Sequence, residues 1–257
     1  MRRLLVPSSL PRRHSRLEQL RVRLPDGERT TVHVATYDRS VYNPRVVLLE
    51  QPAPLVRWCK EQGIRHAVVG GFFLRPQYAP LGYLRIAGTI QSSLPFDAPW
   101  SAARACLQID AGELRITARD QLADDPPGDL LQAGPLLVKA GISVIAARDP
   151  EGFSAGAHQF DSDITDGRYP RAALGFDRER LITVACDGRT RRDAGMTLGE
   201  LADMLVSLGV SDALNLDGGG SASLVHHGRL RNRPREEHGA DLLGGRPVVT
   251  AVVFETS

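Results

Sequence analysis

Asp217 follows the apolar run Ala213-Leu214-Asn215-Leu216 and precedes Gly218-Gly219-Gly220-Ser221. Three successive glycines let a backbone turn sharply and bring amide N–H groups close to an anion. A carboxylate beside such a loop is odd for plain phosphate binding. It makes sense if it faces the carbon that carries the phosphate. The same spacing also suits a tight turn with Asp217 in an Asx-turn. A second candidate cluster comes from Arg171, which opens an apolar run, and Cys186-Asp187-Gly188-Arg189, which closes the next one. If the two runs pair as a hairpin, Arg171 and Arg189 fall at one end of a sheet. Two guanidiniums there form a bidentate clamp for a phosphodiester. Asp187 is then a second carboxylate at that end, or simply half of an Asp-Gly turn.

Other chemistries fit less well. The pattern GxxxxGK[ST] is absent, and GxGxxG is not met in the triglycine segment. The GxSxG elbow fails around Ser221 because Ser223 takes the place of the second glycine. A serine esterase using Ser221, with His226, His227 or His238 as base, remains an alternative. The acidic stretch Asp161–Gly167 resembles a calcium loop, but its glycine is one place late and Ala172 occupies the position of the twelfth-residue glutamate. It is expected to be a polar loop lining a cleft with His158. Neither a metal nor a cofactor is expected. The three cysteines, Cys59, Cys106 and Cys186, are far apart, which argues for small buried hydrophobes over a disulfide or zinc framework. Of 32 basic residues only Lys60 and Lys139 are lysines, leaving 30 arginines, and there are three asparagines, Asn43, Asn215 and Asn232. Schiff-base and P-loop chemistry therefore recede, and anion handling falls to arginine and backbone amides.

The elements that must position these residues are mostly strands. Residues 20–24 and 30–35 alternate about an Asp26-Gly27 turn, as do 105–109 and 114–118 about Asp110–Glu113. Runs 136–138 and 142–145 flank Ala140-Gly141, and 172–176 pairs with 181–185. Residues 64–69, 213–216, 222–226 and 247–254 read as further strands. Residues 54–62 suit a short helix that starts at proline and ends at Gly63. The clearest helix is 198–208. Thr197 and Glu200 form a capping box, Leu198, Leu201, Ala202, Leu205 and Leu208 form one apolar face, and Gly209 closes it. The fold class expected is α+β, with mixed, mostly antiparallel sheets, a few packed helices and one domain. Residues 1–16, with five arginines and two prolines, read as a leader to a domain at 17–257.

With 32 basic against 30 acidic residues and 42% hydrophobic content, neither a nucleic-acid partner nor global disorder is expected. No apolar run approaches the roughly 18 residues of a membrane span. The N-terminus has charge but no hydrophobic core of a signal peptide, so a cytoplasmic location is the default, with the cell envelope or exterior open if a leader is missing.

Several segments, in order, carry a resemblance to the phosphodiester glycosidase family. They are Gly70-Gly71-Phe72-Phe73, Ala133–Val138, Arg171–Gly175, Asp187-Gly188-Arg189, Met196–Ala202, Asp212–Ser223, Asn232–Pro234 and Arg246-Pro247-Val248. The chain departs from the family at Val69, where the family has asparagine, at Ala172, and at Ala222-Ser223. The resemblance implies hydrolysis of a sugar 1-phosphodiester, of an N-acetylglucosamine-type or related sugar, to free sugar and a phosphomonoester. It places Asp217 or Asp187 at the anomeric carbon as nucleophile or base, with Asn215 orienting. Arg171, Arg189, Gly70, Gly71, Gly218, Gly219, Gly220 and Ser221 then surround the phosphate. A glycan-binding module that has lost its chemistry is the alternative that Val69 favours.

Overall fold

The alternation at 20–35 becomes two long antiparallel strands, Ser15–Arg23 and Arg29–Asp38, joined through the Asp26-Gly27 turn. The first begins two residues inside the segment expected to be a leader. The computed structural model describes residues 14–145 and 167–256. Most of the expected leader, His158 and the Asp161–Asp166 stretch lie outside the described residues.

Three main sheets follow from the hairpins. The first has seven strands, in the order Ser15–Arg23, Arg29–Asp38, Arg180–Cys186, Arg171–Phe176, Asp212–Asn215, Leu136–Lys139 and Ile142–Ser143. The second runs Arg229–Leu230, Leu224–His226, His66–Val69, Pro247–Thr256 and Tyr42–Pro54. The third is built on the hairpin Ala105–Asp110 with Glu113–Ala118, extended by Asp129–Gln132, Leu84–Ile86 and Thr89–Ile90. Every strand pairing in these sheets is antiparallel, and one isolated bridge, Leu81 with Leu94, is parallel. The expected antiparallel character is therefore present, while the helical share is small. The described α-helices are Leu55–Glu61, Trp100–Ala103 and Leu198–Ser207. The chain is largely β, because its apolar residues alternate far more often than they recur at helical spacing.

Helix Leu198–Ser207 forms as its caps dictate. The Glu200 amide donates to Thr197 Oγ1 at 3.1 Å, and the Thr197 amide donates to the Glu200 carboxylate at 3.0 Å. Leu198, Leu201, Ala202 and Leu205 are buried against the first sheet, and the exposed side of the Glu200 carboxylate is held by Arg168. One continuous apolar core joins the sheets. The three cysteines are buried and not disulfide-bonded, and burial pushes the Cys59 and Cys186 thiols up to about 12. They stay protonated at neutral pH and pack as small hydrophobes.

At one end of the second sheet, His66 pairs across strands with His226. Their rings lie 4.7 Å apart, and Tyr37 and Tyr42 stand edge-on to His66 at 5.3 and 5.4 Å. Among the described residues, neither ring nitrogen of His226 has a hydrogen-bond partner, nor does His66 Nδ1. Burial, reinforced by His227, Arg65 and Arg231, lowers His66 to about 3 and His226 to about 4. Both rings are neutral in the native protein, whereas an unfolded histidine titrates near 6.5. The unfolded chain therefore binds more protons between these values, so this contribution to stability is complete above about 6.5 and is lost as pH falls toward 4. Melting temperature should drop through this window, and His226→Phe should make the drop shallower. An unchanged slope in that variant, followed by circular dichroism, would remove the cluster as the cause.

Candidate active site

The chain passes from the first sheet to the second between strand Asp212–Asn215 and strand Leu224–His226. The crossing segment holds Asp217 and the triglycine. The Asp217 amide donates to the Gly70 carbonyl at 3.0 Å, while the Gly70 amide donates to Thr250 O at 2.9 Å. The Gly70-Gly71 corner, at the end of strand His66–Val69, is thus brought beside Asp217. A Cβ on Gly70 would lie 2.5 Å from Thr250 Oγ1, so no larger residue allows this approach. Val69 itself is wholly buried in the core.

Three of the loop's four amides are taken up within the chain. The Gly218 amide donates to Asp217 Oδ1 at 2.8 Å, Gly219 to Pro170 O at 2.8 Å and Ser221 to Gly218 O at 3.0 Å. What the glycines provide is close approach of guanidinium groups. Gly219 has φ +57°, and a Cβ there would lie 3.3 Å from Arg189 Nη2. A Cβ on Gly220 would lie 3.0 Å from Arg246 Nη2 and 2.9 Å from Leu242 Cδ1. The positive charge over the loop therefore comes from side chains, Arg189 and Arg246, laid directly on bare backbone.

Asp217 is partly exposed at this surface. Burial raises its carboxyl to about 6. The Ser221 hydroxyl, the Gly218 amide and the charges of Arg246 and Arg75 oppose that rise without cancelling it. Ser221 Oγ is buried, and no histidine hydrogen bonds to it. His226 and His227 pack instead against His66, and His238 is exposed on the loop after Pro234. The base that an esterase reading requires is missing among the described residues.

The other expected site residues are placed as follows. Arg171 pairs with Cys186 across the hairpin and is 1% exposed. Its guanidinium donates to Met196 O and Gly167 O, each at 3.0 Å, and burial lowers it to about 10. Arg171 and Arg189 do come together, around the ring of Tyr169 at 5.5 and 5.8 Å from its centroid. Of the two, only Arg189 also lies against the triglycine loop. Asp187 is 3% exposed. Its Oδ1 accepts the Arg233 amide at 2.6 Å, and its Oδ2 stands 3.6 Å from His33 Nε2. Asp187 thus ties the 233–235 segment to strand Arg29–Asp38. Asn215 is buried. Its amide donates to Gly134 O at 3.2 Å and Leu216 O at 2.9 Å, fixing the strand end from which Asp217 emerges.

Two charged residues join the site without having been singled out for it by sequence. Arg246 belongs to the Arg-Pro-Val segment, but nothing in that tripeptide says that its guanidinium lies on Gly220. Glu236 had no signal at all. Its carboxylate accepts both Arg246 Nε, at 3.0 Å, and Arg246 Nη2. Burial works against the Glu236 carboxylate, but Arg246, helped by Arg75 and Arg189, outweighs it and holds the group below the usual carboxylate range. The two carboxyl groups at this surface are thus pushed in opposite directions by their surroundings.

Part of the chain, 67 residues, is 45% identical to mouse N-acetylglucosamine-1-phosphodiester alpha-N-acetylglucosaminidase, a match covering 26% of this chain and 13% of that enzyme. The human enzyme matches at 42% over 67 residues. The catalytic domain of the zebrafish enzyme, solved in a form auto-inhibited by its pro-peptide, superposes with a TM-score of 0.69 at 20% identity, covering 94% of this chain and 82% of that one. A hypothetical protein from Synechocystis gives 0.66 at 19% identity, covering 95% and 62%. At these identities the structures establish a shared fold. The sequence pattern of the phosphodiester glycosidases matches residues 62–255, which hold the Gly70-Gly71 corner, the triglycine crossover and Arg246. On that match the chain belongs to the phosphodiester glycosidase family.

Proposed function

We propose that the protein hydrolyses the bond between an anomeric carbon and the phosphate of a sugar 1-phosphodiester, releasing free sugar and a phosphomonoester. The observation that carries this reading is Asp217, a carboxylate held half-buried at a sheet crossover beside a bare-backbone loop covered by arginines. Membership of the family supports it independently.

In this reading the phosphodiester rests on the cationic face formed by Arg189 and Arg246, with Arg75 contributing charge. The sugar–oxygen bond breaks and its electron pair leaves with the phosphate. A phosphomonoester is a good leaving group, so stabilising its charge matters more than protonating it. The anomeric carbon becomes oxocarbenium-like and is met by the ionised Asp217. Water supplies the hydroxyl that ends on the sugar, and its proton leaves to solvent or to the phosphomonoester. Asn215 and the Gly70 carbonyl act through Asp217 by fixing the backbone on either side of it. Arg171 holds the floor beneath Tyr169, and Asp187 holds the segment that delivers Arg189.

The direct check is incubation with an N-acetylglucosamine 1-phosphodiester, with free sugar and phosphomonoester as the products sought. Saturable binding without product would favour a binding module. Asp217→Asn should lower turnover about 10³-fold or more while leaving the melting temperature near wild type. Retention of wild-type turnover in that variant would remove Asp217 from the reaction. Because the acting form is the carboxylate and its native value is about 6, kcat/KM should climb as pH rises through about 6 and then level off. A profile flat from pH 5 to 8 would contradict this assignment.

A further inference from the structure

The Arg246–Glu236 pair is more than a tie for a surface loop. The guanidinium that Glu236 engages is the one lying on Gly220, and the Arg246 amide is itself anchored to Gly220 O at 3.2 Å. The two N–H groups taken by the carboxylate, Nε and Nη2, form the same edge that a phosphate uses when it binds arginine through two oxygens. A second guanidinium, that of Arg189, lies on the neighbouring Gly219 and is fixed by its bond to Arg235 O at 2.9 Å, one residue before Glu236. The Glu236 carboxylate therefore stands in a cationic field that is open to an incoming anion.

The backbone that carries Glu236 does not depend on this pair. The Glu236 amide donates to Ala240 O at 2.9 Å, Leu242 to Pro234 O at 3.0 Å, and Arg235 pairs with Asp241 at 2.7 Å. The Glu236 side chain is 35% exposed, against 16% for Arg246. Its carboxylate can thus swing toward solvent while both the loop and Arg246 stay in place.

We propose that Glu236 is an internal stand-in for the substrate's phosphate: its carboxylate occupies the bidentate edge of Arg246 and must be displaced by the phosphodiester, so that Glu236 sets the affinity of the site for anionic substrates. This rests on the phosphodiester glycosidase reading for the identity of the anion. It makes Glu236 a specificity residue and Arg246 the group it regulates. The cost of displacing Glu236 falls on every ligand, and only an anion able to take both N–H groups recovers it. Neutral glycosides would be discriminated against for that reason.

The test uses the full chain and two probes. Inorganic phosphate is titrated calorimetrically into wild type, Glu236→Gln and Glu236→Asp, and steady-state kinetics are run on an N-acetylglucosamine 1-phosphodiester. Removing the competing charge should tighten phosphate binding in Glu236→Gln by about tenfold and lower KM in step, with kcat moving by less than about threefold. Glu236→Asp, which keeps the charge, should remain close to wild type. Phosphate affinity that is unchanged or weaker in Glu236→Gln overturns the proposal. So does a fall in kcat at constant KM, which would make Glu236 a participant in bond breaking. Tighter phosphate binding in Glu236→Gln without sugar release by the wild type would sink the glycosidase reading and leave the competition for Arg246 standing.

Discussion

A single backbone hydrogen bond, from the Asp217 amide to the Gly70 carbonyl, joins the first sheet to the second where the chain crosses between them. Everything proposed for the site depends on that crossing. The contact requires Gly70, because a side chain there would strike Thr250. It places a carboxylate just past a strand buried from Ala213 to Asn215, next to the pinned amide of Asn215. A group so held cannot relax into water, which is why its titration is raised by burial. The loop after it then turns under Arg189 and Arg246, with Gly219 at a positive φ that favours glycine. Rigid elements deliver the reactive group, and loops deliver the charge.

Electrostatics at this surface work by division of labour. Asp217 is kept from ionising easily by burial, and Glu236 is kept ionised by arginine. Arg246 acts on both, so a change at one carboxylate is felt at the other. The arginines that look equivalent in composition are separated by their partners. Arg171 is committed to backbone carbonyls inside the protein, whereas Arg189 and Arg246 lie against the bare backbone of the triglycine loop. In a chain with 30 arginines, these partners and not the residue type set apart the two that lie on the loop beside Asp217.

Local signals carried far in the sequence. The capping box at Thr197 and Glu200, the hairpins about Asp26-Gly27 and Asp110–Glu113, and the antiparallel pairing of 171–176 with 180–186 were all legible, since each depends on residues close in the chain. Strand Tyr42–Pro54 was not, because three prolines break its alternation. It tolerates them as the edge strand of its sheet, paired on one side with Pro247–Thr256. At the site, the Asp217-triglycine segment was legible as a turn beside a carboxylate. Its glycines suggest amide donation to an anion, and in the fold the Gly218, Gly219 and Ser221 amides donate within the chain. The closing partners, Arg246 and Glu236, lie 15 or more residues further along and meet the loop only through folding. No spacing rule could have found Glu236, whose place comes from the course of the 234–245 loop.

With Asp217 facing the anomeric carbon and the arginines holding the departing phosphate, the bond that breaks is carbon–oxygen. Hydrolysis of a sugar 1-phosphodiester in water enriched in oxygen-18, with mass spectrometry of both products, reads this directly. The label should appear in the anomeric hydroxyl of the released sugar, with none in the phosphomonoester. Label in the phosphomonoester would show attack at phosphorus and would contradict the assignment of Asp217 and of the site built around it.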